Sequence, residues 1–131
     1  MARIEVSKQI YAALNEDRAA DALDFFDPSI VRVEFEGTPS GGTYREHSGV
    51  RAHFVNGRST WAEGLCKPVG FISIDDRIVV LVHVRVRLKD QVDWLEGRLA
   101  DVFTFSGSKI VEMRTFAETH DALLWAGVAI Q

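Results

Sequence analysis

Apolar residues recur along this chain with two different periods, and the change of period divides it. Near the N-terminus Val6, Ile10, Ala13 and Leu14 fall at helical spacing and predict a first amphipathic helix. A polar break, Asn15 to Asp17, is suited to capping a second helix. That helix carries Ala19, Ala22, Leu23 and Phe26 on one face and is expected to stop at Pro28. The stretch "SIVRVEFEG", rich in β-branched residues, reads as a strand, and "GTPSGG" as a loop. Behind it Ser48 has the chemistry of an N-cap, with Val50, Phe54, Gly57 and Trp61 at helical spacing. The second half alternates instead. "KPVGFISIDD", "RIVVLVHVRVRLKD", "VDWLEGRLADVFTF" and "KIVEMRTFAET" read as strands separated by short polar turns. In the second of these, Ile78, Val80, Val82, Val84, Val86 and Leu88 form one apolar face, while the other turns polar at His83, Arg85 and Arg87. An antiparallel sheet with one covered face requires that alternation. Thr119 can cap a last short helix, "HDALLWAG", with Gly127 as its stop. Helices first and strands afterwards predict an α+β fold: three N-terminal helices on a strongly curved antiparallel or mixed sheet, then a short C-terminal helix. Residues 1–131 are expected to form a single domain.

Composition narrows the function classes. The 131 residues are 47% hydrophobic and 10% aromatic, enough for a substantial core, and their formal charge of −4 disfavours nucleic acid as a partner. One cysteine, Cys66, excludes an internal disulfide and fits a reducing compartment. It reads as a packed small hydrophobe. "MARIEVSKQI" mixes charges into its apolar residues and is not expected to act as a signal peptide. No apolar run approaches the roughly 20 residues of a membrane span. The expectation is a cytoplasmic protein that engages no membrane. There is no G-x-G-x-x-G, P-loop, C-x-x-C, H-E-x-x-H or G-x-S-x-G, and His47, His53, His83 and His120 are dispersed. No metal and no cofactor are therefore expected, and any chemistry must come from isolated side chains converging in a pocket.

One such side chain stands out. In "GRLADVFTF" Leu99, Asp101, Phe103 and Phe105 share one strand face, so an aspartate interrupts an apolar row. Burial among such neighbours raises a carboxyl pKa, and a protonated aspartic acid can donate a hydrogen bond to a developing oxyanion. The alternative is an ion pair with Arg98 or Arg114. Period-two patterning sends Val31, Val33 and Phe35 to the core and Glu34 to solvent with Arg32 and Glu36. Tyr11 flanks the Val6–Ile10–Leu14 stripe, with its hydroxyl directed either inward or to the core edge. On the polar sheet face His83, Arg85 and Arg87 oppose Glu96 and Arg98, which predicts cross-strand charge pairs with a structural or dimer role.

The chain also resembles a known family. "GGTYREHSGVRAHF" is similar to the "G-G-x-Y-x-G-x-x-x-V-R-x-F-F" pattern of the SnoaL-like branch of the nuclear transport factor 2-like superfamily, with Arg45 and Glu46 leading to His47 near where a glycine is usual. "SGSKIVEMRTFAETHDALLWAGV" is similar to that branch's close. The likeness runs from about Tyr11 to Val128 and implies a cone-shaped fold whose mouth is an apolar pocket holding one or two acids. "LADVFTF" resembles "I-D-H-F-R-F" of the ketosteroid isomerases, which carries an oxyanion-binding role to Asp101. "VRVEFEG" places Glu34 at those enzymes' general base in one alignment and Phe35 in the alignment shifted by one. Their oxyanion tyrosine aligns with Ile10, one residue from Tyr11, and one residue is about 100° around a helix. The resemblance implies that pocket wall and core are continuous, so Phe54, Trp61, Phe103 and Met113 are candidate lining residues, the first two brought to the mouth by the third helix. It further implies a homodimer through the sheet.

Three readings follow. The first is a small-molecule enzyme working by cofactor-free acid–base chemistry (isomerase, cyclase, dehydratase or epoxide hydrolase type) with Asp101, Glu34 and Tyr11 as its catalytic side chains. The second is a non-catalytic binder of a small hydrophobic or carbonyl-bearing molecule. The third is a dimerisation module whose cone is filled by its own aromatic side chains.

Overall fold

Four long alternating segments pair in sequence order and make the larger part of one sheet. The computed structural model describes residues 2–128. Its elements are α1 (Arg3–Asn15), α2 (Ala19–Leu23), β1 (Phe26–Glu34), β2 (Gly42–Arg45), α3 (Glu46–Arg58), β3 (Trp61–Ile74), β4 (Arg77–Leu88), β5 (Leu95–Ser106), β6 (Lys109–Phe116) and α4 (Thr119–Ala126). Strands β3 to β6 form antiparallel hairpins. The first strand joins the far side of β6 in parallel, and β2 completes the edge, giving the order β2-β1-β6-β5-β4-β3. The result is an α+β fold with a curved, open, mixed sheet.

The concave face of the sheet holds the main core. Ile78, Val80 and Val82 of β4, Phe103 and Phe105 of β5, and Ile110 and Met113 of β6 pack against Val6, Ile10, Tyr11 and Leu14 of α1 and Val50 of α3. The other face is covered too, in its middle. Val79, Ala100 and Val102 meet Ala122 and Ala126 of α4, and Arg77 lies 4.2 Å from the Trp125 ring centroid and donates to the Trp125 carbonyl at 3.1 Å. The one-covered-face reading thus holds only beyond His83, where Arg85 pairs with Glu96 at 2.9 Å and Arg87 with Glu63 at 3.4 Å.

Several boundaries differ from the sequence reading, each for a local reason. Asn15 does not cap α2. Its amide bridges to β3 instead, donating to the Cys66 carbonyl at 2.8 Å and accepting from the Cys66 N–H at 3.0 Å. The second helix ends at Leu23, so Phe26 opens β1 and Pro28 lies inside that strand. Pro28 is tolerated because pairing with β6 is interrupted between Phe26 and Val31. Ser48 falls inside α3, whose N-cap is Arg45, and Thr119 is the first residue of α4 behind Glu118. The third helix stops at Arg58, so Trp61 belongs to β3. Gly127 ends α4 with φ +104°. A second glycine, Gly64, has φ +137° beside an irregularity in the β3–β4 pairing, where an added Cβ would lie 2.5 Å from the Arg85 carbonyl oxygen. No helix among the described residues is long and apolar enough to cross a membrane.

Candidate functional site

Strand register assembles a polar row inside the apolar cone. Asp101 of β5 stands opposite Thr115 of β6, and Thr115 stands opposite Glu34 of β1. Directly paired residues present their side chains on one face. On its other side Asp101 faces Val80 of β4. The neighbouring row runs Arg32, Met113, Phe103, Ile78. The inward face of β1 is therefore the even-numbered one, continuing Phe26 and Ile30, both buried. Arg32 is 5% exposed and the Glu34 side chain 18%. The solvent-facing placement of Arg32 and Glu34 expected from alternation is overturned, because parity follows the pairing with β6.

Asp101 is 4% exposed, and both of its carboxyl oxygens have partners. The Tyr11 hydroxyl reaches Oδ2 and the Thr115 hydroxyl reaches Oδ1. Neither Arg98 nor Arg114 pairs with it; Arg98 is exposed and Arg114 contacts Glu112 at 3.3 Å. Burial pushes the Asp101 carboxyl above its ordinary range, against the opposing pull of the Arg32 charge and the two hydroxyls. Burial and the adjoining Asp101 likewise raise Tyr11 well above the ordinary phenol value. The Tyr11 ring meets Phe103 edge-on, with centroids 6.0 Å apart.

Glu34 has a more polar setting. Ser40 donates to its Oε2 at 2.6 Å, His53 Nε2 lies 3.5 Å from the same oxygen, and Arg32 Nη2 is 3.8 Å from Oε1. Arg32 also donates to the Val33 and Met113 carbonyls at 2.7 and 3.4 Å. His53, stacked on Tyr44 with centroids 4.0 Å apart, is lowered to about 4, by burial first and the Arg32 charge second. It is neutral near pH 7. The cone interior thus holds an acid biased toward its protonated form and a hydrogen-bonded carboxylate, on one row and separated by Thr115.

A hollow of about 390 Å³ opens at the end of α1 and α3, lined by Leu14, Asp17, Ala19, Phe54, Val55, Arg58, Ser59, Trp61 and Lys89. Of the candidate lining residues it gathers Phe54 and Trp61. Phe103 and Met113 lie deeper, at 0% and 3% exposure, and belong to the packed floor with Asp101. Leu14, which lines the hollow, is three residues from Tyr11 on α1, less than one helical turn. Arg32, His53, Ser40, Thr115 and Arg58 were not singled out by sequence. Arg32 was within reach, since it lies two residues from Glu34 and must share its face. Thr115 and Ser40 carry no signal before the register and loop are known. Among the described residues no group of three His, Cys, Asp or Glu side chains converges as a metal site.

Solved structures share this architecture at low identity. An NTF2-like protein of unknown function from Burkholderia pseudomallei aligns at TM-score 0.81 and 21% identity, covering 98% of this chain and 100% of its own. TerC co-crystallised with polyporic acid aligns at 0.79 and 20%, covering 95% and 98%. A protein of ketosteroid isomerase-like fold from Catenulispora acidiphila, in complex with trimethylamine, aligns at 0.77 and 11%, covering 95% and 94%. At such identities the likeness is one of fold. Comparison with curated proteins gives no match. A family model does match, over residues 8–113, a span that begins in α1 and ends at Met113 on the cone floor, and on that match the chain belongs to the SnoaL-like domain family of the NTF2-like fold.

Proposed function

We propose that this protein binds a small hydrophobic or carbonyl-bearing molecule in its cone and acts on it by acid–base chemistry of its own side chains, of the isomerase, cyclase, dehydratase or epoxide-hydrolase type. One observation carries the reading: a buried carboxyl, Asp101, shares a row with a second carboxyl, Glu34, in a contrasting environment. Two titratable groups whose surroundings differ in this way can divide the roles of acid and base. Asp101, its carboxyl biased by burial toward the protonated form, donates a hydrogen bond or proton to the substrate oxygen as negative charge develops there. Tyr11 is the second donor at that oxygen, exchanging its present contact with Asp101 for the substrate. Glu34 accepts the proton removed from carbon or water, and Arg32 and Ser40 hold it in place. The small organic molecules held by two of the similar structures support a ligand-binding cone.

The test compares wild type with Asp101→Asn on a panel of ketosteroids, epoxides and polyketide-like esters. Asparagine keeps the shape but not the proton, so turnover is expected to fall about 10²–10⁴-fold. Equal turnover, or none with either protein, ends the catalytic role of Asp101. A second reading, ligand binding without chemistry, is favoured by one observation: both Asp101 oxygens are already satisfied within the chain. It expects saturable binding by both proteins and turnover by neither.

The same reading includes a homodimer through the outer sheet face. There Leu65 and Trp94 are exposed at 45% and 37%, beside the Arg85–Glu96 ion pair, so the patch offers apolar surface with charges of both signs for a second copy.

A further inference from the structure

Arg58 sits oddly for a structural arginine. It is the last residue of α3, half-buried on the wall of the mouth hollow. Its guanidinium carbon lies 4.5 Å from the Trp61 ring centroid. Its one side-chain hydrogen bond among the described residues goes to Asn15 Oδ1 at 3.2 Å. A guanidinium has five N–H donors in a fixed fork, so most of that fork is not used by the protein. No carboxylate lies within 4.0 Å of it among the described residues, although Arg18, Arg85, Arg87 and Arg114 each have at least one. Burial lowers Arg58 from its ordinary value, and the opposing pulls of Cys66 and Asp17 do not outweigh it. A cation is thus partly desolvated with no carboxylate in contact among the described residues, a cost in free energy that an anionic ligand would offset.

The rest of the hollow says what that ligand carries. Lys89 adds a second cation to the rim, and Asp17 is the one acid there. In a chain of net charge −4 this is a local excess of positive charge facing a cavity. Leu14, Ala19, Val55 and Phe54 make the rest of the wall largely apolar, and the Trp61 indole offers a flat face beside the guanidinium. Stacking on the indole holds the guanidinium plane and leaves its edge available for the two parallel N–H···O bonds a carboxylate accepts.

We propose that the mouth hollow selects organic anions: small carboxylates with a flat apolar body, the carboxylate paired with Arg58 and Lys89 and the body against Trp61 and Phe54. This rests on the ligand-binding reading above and gives it a substrate class. The anionic end stays at the rim, and the apolar body lies along Leu14, Phe54 and Trp61.

Calorimetric titration with benzoate, cinnamate and biphenyl-4-carboxylate, each against its methyl ester, tests it. The acids are expected to bind at least about tenfold more tightly than their esters, the scale of a charge-assisted hydrogen bond. In Arg58→Gln that preference is expected to vanish while ester affinity holds, and Lys89→Gln is expected to weaken it in part. Equal affinity for acid and ester in the unaltered protein overturns the proposal and requires no variant to fold. So does a preference that survives Arg58→Gln, or no acid binding up to about 10 mM. Asp101→Asn separates the two readings. It is expected to keep the acid preference, so turnover indifferent to Asp101 beside an intact preference defeats the catalytic reading and leaves this one standing.

Discussion

Asp101 was legible because three odd-numbered neighbours, Leu99, Phe103 and Phe105, are apolar and fix the face it must share. Its partners were not. Arg32 and Glu34 sit in a strand where the more apolar residues, Val31 and Val33, face outward, and local alternation cannot reveal that when β1 joins a strand 81 positions away. Ile30 and Phe26 were the available cue, since both are even-numbered and both are fully buried hydrophobes. His53 supplies a test at this scale. It is lowered from 6.5 to about 4 in the fold, so between those values the unfolded chain binds a proton that the folded chain does not. Its contribution to stability is complete above about pH 6.5 and is lost as pH falls toward 4. Asp101, shifted upward, contributes the opposite slope, with stability lost as pH rises through its raised value. Urea midpoints of wild type and His53→Gln at about pH 5 and about pH 7.5 separate the two. Wild type is expected to lose more stability on acidification than the variant, which lacks the histidine proton. Parallel losses in both contradict a neutral, buried His53.

Element by element, the long pieces were readable and the short ones were not. Strands β3 to β6 announce themselves through 8 to 14 residues each, whereas β2 is four residues, Gly42–Arg45, following a glycine-rich turn. Where β2 becomes α3 there is no loop, and Glu46 takes φ +62° to make the change of direction. A side chain in that left-handed conformation costs about 1–2 kcal/mol. The family pattern carries a glycine near this point, and the strained φ supplies a physical reason for one. Glu46→Gly is therefore expected to leave stability unchanged or raise it by up to about 1 kcal/mol, because strain relief opposes the entropy cost of glycine. Elsewhere in a helix the same substitution costs close to 1 kcal/mol. Thermal unfolding measures the difference, and a clear loss at Glu46 would argue that the residue is not strained.

At the scale of the whole molecule, sequence order alone predicted helices followed by a meander, and resemblance supplied the cone. Neither shows which side of the sheet α4 covers, since Ala122 and Ala126 are too small to signal a contact, yet they pack against Val79, Ala100 and Val102. That packing occupies the middle of the outer face and leaves its far end, around Leu65 and Trp94, for the proposed second copy. Sedimentation equilibrium is expected to give twice the 14.7 kDa chain mass, and Leu65→Glu to return the single-chain value. A monomeric wild type at micromolar concentration removes the dimer.

The parallel seam between β1 and β6 also sets an order of assembly. During synthesis β1 emerges early and waits for its neighbour until about eighty further residues have been made, while β3 to β6 can zip up as successive local hairpins. Closing so long a loop is slow compared with making those hairpins. Arg32 and Glu34 ride on the waiting strand, so charges remain in water until the greasy half of the domain exists to receive them. Docking of β1 on β6 is then expected to come late, and with it the approach of the two carboxyl groups; a chain cut short before Lys109 lacks the strand that sets Glu34 in the row of Asp101.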